Sequence, residues 1–406
     1  MCDTLVKITK DGVLFAKNSD RDPNESQMVE WYQPDQHNAG SNVRCTWIDI
    51  PQVEHTYGVV ISRPFWMWGA EIGTNEFGLT IGNEAVFTKQ PYAATGLTGM
   101  DLVRLALERS RNVREGINTI VELIETHGQG GGCGHEDRSF TYHNSFLLAD
   151  RNGAAVVETA GTHYAIELVN TGVRSISNGL TIQPFATHQS DPIKSWVAAC
   201  SARRALTEHG ATQARSVLDV FAILRSHGRS EMASPHWSRT VGSMSTPCMH
   251  AGGAIASSQT TASWVADLRT LHDEPVHWVT ATSTPCTSIF KPIRQSAPYW
   301  VGPQTTDRCD LSTLWWRHEV FARRVCRDYP AVFARFRHER DCLEQSWVDH
   351  PPDSAVAFAE ADKAVQRWLE ECEHIRIDDD RPLLVRRYWQ RRDALAALPR
   401  SRDGSA

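Results

Sequence analysis

Turn residues and apolar periodicity divide this 406-residue chain into strands, two helices, strands, two helices and strands again. Met28 to Tyr32, Cys45 to Ile50, Tyr57 to Ser62, Ala70 to Thr74 and Leu79 to Asn83 are short apolar runs. Gly, Pro, Asn and Asp separate them, which predicts antiparallel sheet. Thr98-x-x-Asp101 then resembles a capping box, with Leu102, Leu105 and Ala106 on one helical face. Val113, Ile117, Ile120, Val121 and Ile124 repeat that spacing up to Gly128, a C-terminal cap. Strands resume at Ser145 to Ala149, Ala154 to Thr159, Tyr164 to Val169 and Arg174 to Ser177. Asp191-Pro192 opens a helix that Gly210 ends, and Val217, Val220, Phe221 and Leu224 mark its partner. A last strand group runs from Ser243 to Ile293. Such an order predicts a layered α+β fold. From Leu311 onward, helical spacing of Trp315, Trp316, Phe321, Val325 and Phe333 predicts a helical region, with Ser401 to Ala406 frayed.

The first strands carry the most pointed chemistry. Alternating apolar runs on either side of Asp11-Gly12 predict a β-hairpin that begins at Cys2. If Met1 is removed, Cys2 carries a thiol and a free α-amine on one carbon. An α-amine titrates near ~7.7–8.0 and a thiol near ~8.5, so one accepts the other's proton close to neutrality. Nucleophile and base then share one residue. The plainer alternative is a small apolar side chain at a strand start, and Cys2 alone does not decide between them.

The neighbouring motifs do more. Cys2-Asp3-Thr4-Leu5-Val6, Lys17-Asn18-Ser19-Asp20-Arg21, Ser62-Arg63-Pro64 with Trp66 and Trp68-Gly69-Ala70-Glu71, Gly82-Asn83-Glu84-Ala85-Val86 and Tyr142-His143-Asn144-Ser145-Phe146 occur in order. Glu158-Thr159-Ala160-Gly161 and Ile176-Ser177-Asn178 follow. Together they resemble the secernins, of the C69 dipeptidase group of N-terminal-nucleophile (Ntn) hydrolases. The likeness is dense to about Ile182, patchy to Pro292 and thin beyond. It implies a four-layer αββα Ntn-hydrolase sandwich over 2–305, with a helical C-terminal extension over 306–406. It also implies a cysteine-type dipeptidase acting on small peptides without a cofactor. An acyl-amide hydrolase would use the same apparatus, and a catalytically silent secernin-like scaffold or regulator of secretion is the rival class.

The resemblance assigns roles as follows. Arg21, one hairpin strand away, faces Cys2 as a fixed cation, while Asp20 alternates to the other face as support. Asn83 and Asn178, which by themselves read as strand-end turn residues, become oxyanion and amine contacts. Trp66 and Trp68, beside Arg63 and Glu71, become a pocket wall for a peptide's side chain and termini. Asn144 supports the substrate side, and His143 is structural. Arg239 lies where related enzymes contact substrate, in the thinly matched region.

Other chemistries find less support. His127, Cys133, His135 and His143 match no structural-zinc spacing, so no metal is expected. The glycines from Gly128 to Gly134 follow a helix rather than a strand, which fits a loop or pocket lid and not a dinucleotide fingerprint. Ten cysteines without close pairs, and no leader-like pattern, fit a reduced, cytoplasmic chain whose other thiols are buried fillers. A net charge of -6 argues against nucleic acid as the partner. No apolar run approaches a membrane span. The expected partners are a small peptide or amide substrate, and a second copy or another protein through the C-terminal helices.

Overall fold

A computed structural model describes residues 1–228, 233–253, 258–271 and 274–399, so the predicted frayed tail lies outside the described residues. The chain opens with the hairpin β1 (Cys2–Thr9) and β2 (Gly12–Arg21), then β3 (Gln27–Tyr32). Four short strands follow: β4 (Asp35–Gln36), β5 (Asn42–Arg44), β6 (Asp49–Pro51) and β7 (His55–Thr56). Next come β8 (Val59–Pro64), β9 (Ile72–Asn75), β10 (Thr80–Val86), α1 (Gly99–Arg109) and α2 (Val113–His127). The middle holds β11 (His143–Asp150), β12 (Gly153–Ala160), β13 (His163–Val169) and β14 (Gly172–Ile176). Helices α3 (Phe185–Gln189), α4 (Pro192–Val197), α5 (Cys200–Gln213) and α6 (Val217–Leu224) precede β15 (Gln259–Asp267), β16 (Val276–Val279) and β17 (Lys291–Ile293). The chain finishes with α7 (Leu314–Val325), α8 (Tyr329–Asp349), α9 (Ser354–Glu373) and α10 (Leu383–Leu395).

Two antiparallel sheets face each other, ordered β14-β1-β2-β15-β16-β17 and β13-β12-β11-β10-β9-β8-β3. Strand alternation builds the layers, because successive side chains point to opposite faces. Val6, Phe15 and Trp264 of the first sheet meet Val60, Ile72, Leu147 and Val156 of the second in one inner core. Their neighbours Leu5, Leu14, Ala16 and Val265 turn outward onto α6. Phe146, Leu148 and Val157 turn the other way onto α1 and α2. The result is a four-layer αββα sandwich. The outer core of the first sheet continues without a break into Phe321, Phe333, Phe336 and Trp368, so α7 to α9 share it. Among the described residues, no helix is long and apolar enough to cross a membrane.

Local signals explain most boundaries. Thr98 and Asp101 form the capping box of α1, and Gly128 caps α2 with its N–H on the Ile124 carbonyl. Four expectations are corrected. Cys45 to Ile50 is not one strand: Thr46 donates from both its amide and hydroxyl to Asp101, and the chain turns there between β5 and β6. The helix from Pro192 breaks at Ala199, which has φ 49°, where the Arg203 guanidinium takes the Ala198 carbonyl. Gly210 does not end α5; it lets α6 approach, since a Cβ there would lie 2.7 Å from Ile223. Finally, 243–253 forms no strand, because Ser243, Thr246 and Thr260 hydroxyls bond its backbone in place of a neighbouring strand.

Candidate active site

The register of the hairpin sets the site. Cys2 pairs with Ser19, so Lys17, Ser19 and Arg21 share its face at two-residue steps. That face looks across the inner layer at β9, β10 and β11. Lys17 is wholly buried there, its ammonium donating to the Asn83 carbonyl at 2.6 Å and lying 3.7 Å from both Glu71 and Glu84. Gly82 makes this possible: a Cβ would sit 2.6 Å from the Lys17 stem. Glu71 is shared, its other oxygen accepting from Arg21 at 3.1 Å. Arg21 also donates to Glu25 at 2.6 Å, to the Tyr142 hydroxyl at 3.1 Å and to the Cys133 carbonyl at 2.8 Å. Lys17, Arg21, Glu25, Glu71 and Glu84 are thus paired with one another in this buried space, as burial requires.

Cys2 lies against that network, 4% exposed. Its thiol is 3.7 Å from a Glu71 oxygen and receives the Asp20 amide at 3.4 Å. Its nitrogen donates to Asn178 Oδ1 at 3.0 Å, and its carbonyl accepts from Arg203 at 2.9 Å. Arg203 also bridges Asn178 Oδ1 and Asp3, each at 2.7 Å, so β1, the segment after β14 and α5 are locked together. Burial pushes the Cys2 thiol up to about 12 against the pull of Lys17, with Glu71 adding to the rise. Burial likewise raises Glu84 to about 8 and Asp20 to about 6. Lys17 ends above its ordinary value, because Cys2, Glu84 and Glu71 outweigh the burial that opposes its charge.

A cavity of about 50 Å³ opens beside Cys2, lined by Arg21, Glu25, Glu71, Asn83, Cys133 and Tyr142 among others. It meets a second cavity of about 540 Å³ that carries Phe87, Asp137, Phe140, Ile193, Lys194 and Met244. Met1, Asp22, Gly134, Phe140 and Ser258 line both. Met1 extends the hairpin, its ammonium on the Asp20 carbonyl at 2.5 Å and its own carbonyl on the Asp20 amide at 2.7 Å. Three other cavities of similar size, one beside β3, one among the C-terminal helices and one along β5, are lined by no cysteine.

The fold brings Cys2, Arg21 and Asn83 together, and places Asn144 behind Asn83, whose Nδ2 donates to it at 3.0 Å. Asn83 Oδ1 is buried and unpartnered. Asn178 reaches Cys2 through its acceptor oxygen, while Nδ2 is committed to the Ala85 carbonyl at 2.8 Å. It therefore anchors the Cys2 nitrogen through Oδ1, and Nδ2 gives one of its two N–H groups to Ala85. Asp20 bonds Thr260 at 2.6 Å beside a bulge in β15, so its side chain is support and its amide is the part that meets the thiol. The tryptophans do not line the inner cavity. Trp66 stands behind the wall, bonding Glu25 at 2.6 Å and packing on the apolar cluster of Ala85, Cys133 and Tyr142, and Trp68 packs on Arg104 toward the outer helices. Arg63 is held by Glu30 and the Met67 carbonyl, and Arg239 is exposed. His143 bonds Thr88 at 2.9 Å, and burial lowers it to about 4. Cys133 and Gly134 do wall the cavity, so part of the glycine-rich loop reaches the site. Lys17, Glu84 and Arg203 went unread in the sequence. Positions 17, 19 and 21 of one strand were the available signal for Lys17; nothing local marked Arg203.

No protein-family model matches the chain. Among solved structures, penicillin V acylase from Agrobacterium tumefaciens is similar over 73% of this chain and 86% of its own, at 14% identity and TM-score 0.45. The C2A mutant of conjugated bile acid hydrolase from Clostridium perfringens is similar over 73% of this chain and 93% of its own, at 13% identity and TM-score 0.43. A Caenorhabditis elegans ortholog of N-acylethanolamine-hydrolyzing acid amidase covers 45% of this chain and 71% of its own, at 8% identity and TM-score 0.27.

Proposed function

We propose that this chain is a cysteine-dependent amide hydrolase, a dipeptidase acting on small peptides, with Cys2 as nucleophile once Met1 is removed. One observation carries the reading. The Cys2 thiol and its anchored nitrogen sit at a small cavity that meets a larger one, and Met1 lines both. Loss of Met1 would widen the passage between the two and free the Asp20 amide and carbonyl beside the thiol.

With Met1 in place the thiol is protonated and a poor nucleophile. After removal the α-amine, still held on Asn178 Oδ1, takes the thiol proton. The thiolate attacks the amide carbonyl carbon, and the freed Asp20 amide donates to the oxyanion. The C–N bond breaks, the leaving amine takes the proton from the Cys2 ammonium, and a thioester remains. Water, deprotonated by the same amine, attacks the thioester; the acid leaves and the thiol is restored. Arg21 holds Glu71 and Tyr142 in the wall of the site. The outer cavity joins Asp22, Asp137 and Lys194 to Phe87, Phe140, Ile193 and Met244, which suits a zwitterionic peptide with an apolar side chain better than a wholly apolar acyl chain.

The test begins with an intact mass of the purified chain and a dipeptide and acyl-amide panel. A Met1-free chain should turn over dipeptides and lose its thiol reactivity to stoichiometric alkylation at Cys2. A chain retaining Met1 should alkylate Cys2 slowly at neutral pH. Turnover surviving in Cys2→Ala would end the proposal, and a Met1-free chain inert toward every amide would favour the scaffold.

A further inference from the structure

Ten free thiols are spread through the chain, and three of them meet far from Cys2 around one imidazole. His227 follows α6, Cys248 and His250 sit on the irregular segment before β15, and Cys286 precedes β17. All four are buried, and their ligand-type atoms lie within 4.8 Å of one another. His250 Nε2 is 3.0 Å from His227 Nε2, 3.4 Å from Cys248 Sγ and 3.5 Å from Cys286 Sγ. We propose that His227, Cys248, His250 and Cys286 form a structural Cys2His2 site for a zinc-type divalent cation.

Convergence is the first reason. A neutral imidazole nitrogen offers either one N–H or one lone pair, so it satisfies one partner well. Three polar atoms pointing at His250 Nε2 share a common focus instead. Zinc at about 2.0–2.1 Å from nitrogen and 2.3 Å from sulfur puts tetrahedral neighbours about 3.3–3.8 Å apart, so the 3.4 and 3.5 Å contacts fit as they stand and the 3.0 Å one opens by a few tenths of an ångström when an ion enters. The supporting contacts give the second reason. His227 Nδ1 lies 2.6 Å from the Ala233 carbonyl, which fixes the proton on Nδ1 and leaves Nε2 as the lone pair. His250 Nδ1 lies 3.5 Å from Cys326 Sγ at the end of α7, a partner that orients the ring from behind. Two thiolates would balance the ion's charge, so the dry surroundings carry no net charge. Soft sulfur with imidazole in a tetrahedral set selects zinc over magnesium or calcium.

Such a site would clasp three segments that share no strand pairing with one another. It also reaches the Cys2 region: the Met249 amide donates to Thr260, whose hydroxyl bonds Asp20. The sequence spacing hides the cluster, because only Cys248 and His250 are close in the chain.

Metal content of the full-length protein, measured by mass spectrometry after dialysis against a weak chelator, tests this. About one zinc per chain is expected in the wild type, in Cys2→Ala and in Cys342→Ser, with a loss of about tenfold or more in Cys248→Ser/Cys286→Ser. Because that double variant can misfold, cobalt-exchanged wild type gives a second readout: thiolate-to-cobalt charge transfer with the intense visible bands of a tetrahedral ion. Zinc retained by the double variant, a Cys248–Cys286 disulfide in a peptide map, or a wild-type chain that takes up neither metal would each overturn the site.

Discussion

Two buried thiol sites in this chain differ in everything around the sulfur. Cys2 sits among Lys17, Glu71, Arg21 and Glu25, beside a cavity that leads outward. Cys248 and Cys286 meet imidazoles, and the hydrogen bonds of that group run to one another, a carbonyl and a third thiol. Paired charges and an approach route suit a thiol to chemistry; a neutral, enclosed set of soft donors suits it to holding an ion. Burial alone does not separate them, since both are almost inaccessible. Their neighbours and their access do.

The largest expected effect divides the two sites. Cys2→Ala should lower amide turnover by about 10^4-fold or more while unfolding temperature and metal content stay at wild-type values. A loss of metal in that variant would mean the sites are not independent. Next, Lys17→Met should destabilise the chain by about 3–5 kcal/mol, because the buried Glu84 loses its cation and Glu71 keeps only Arg21. Denaturant unfolding checks this, and a near-neutral result would show that the carboxylates take up protons at no cost. Trp368→Ala should cost about 3–5 kcal/mol, since the ring packs on Phe321 and Phe336 in the core that the C-terminal helices share with the first sheet.

A pH series sharpens the contrast between acidic and neutral regions. Burial lowers His277 and His318 to about 3, so the unfolded chain binds more protons at these positions below pH 6.5. Their contribution is complete above pH 6.5 and is lost as pH falls toward 3. Glu84 acts oppositely: raised to about 8, its contribution is complete below pH 4.5 and is lost as pH rises through 8. Unfolding temperatures of His318→Gln should fall less steeply in acid than those of the wild type; an identical slope would remove His318 from the account. The smallest effect is expected at Trp68. Trp68→Ala should cost about 1 kcal/mol through Arg104 and change kcat/KM less than twofold, because the ring lies outside the cavity.

How far the sequence reached follows from the range of its signals. Capping at Thr98 and Asp101, the Asp11-Gly12 hairpin and the strand alternation are written within a few residues, and they stand in the structure. Failures came where a side chain fixed from far along the chain took over a local backbone, as Asp101 does at Thr46, and as Arg203, held by Asp3 and Asn178, does at Ala198. Cys2, Arg21 and Asn83 could be named because each sits in a dense local motif. Trp68 was misplaced since an aromatic run does not say which way each ring turns.

By itself, then, the sequence determined the strand and helix order, the hairpin that presents Cys2, and the face shared by positions 17, 19 and 21. Those follow from φ/ψ preference and period-two geometry, which act between near neighbours. Only the tertiary structure decided that Glu71 and Glu84 neutralise Lys17, that Met1 lines two adjoining cavities, and that His227, Cys248, His250 and Cys286 meet. Burial and charge pairing across sheets depend on how layers stack, and residues far apart along the chain carry no local mark of that meeting.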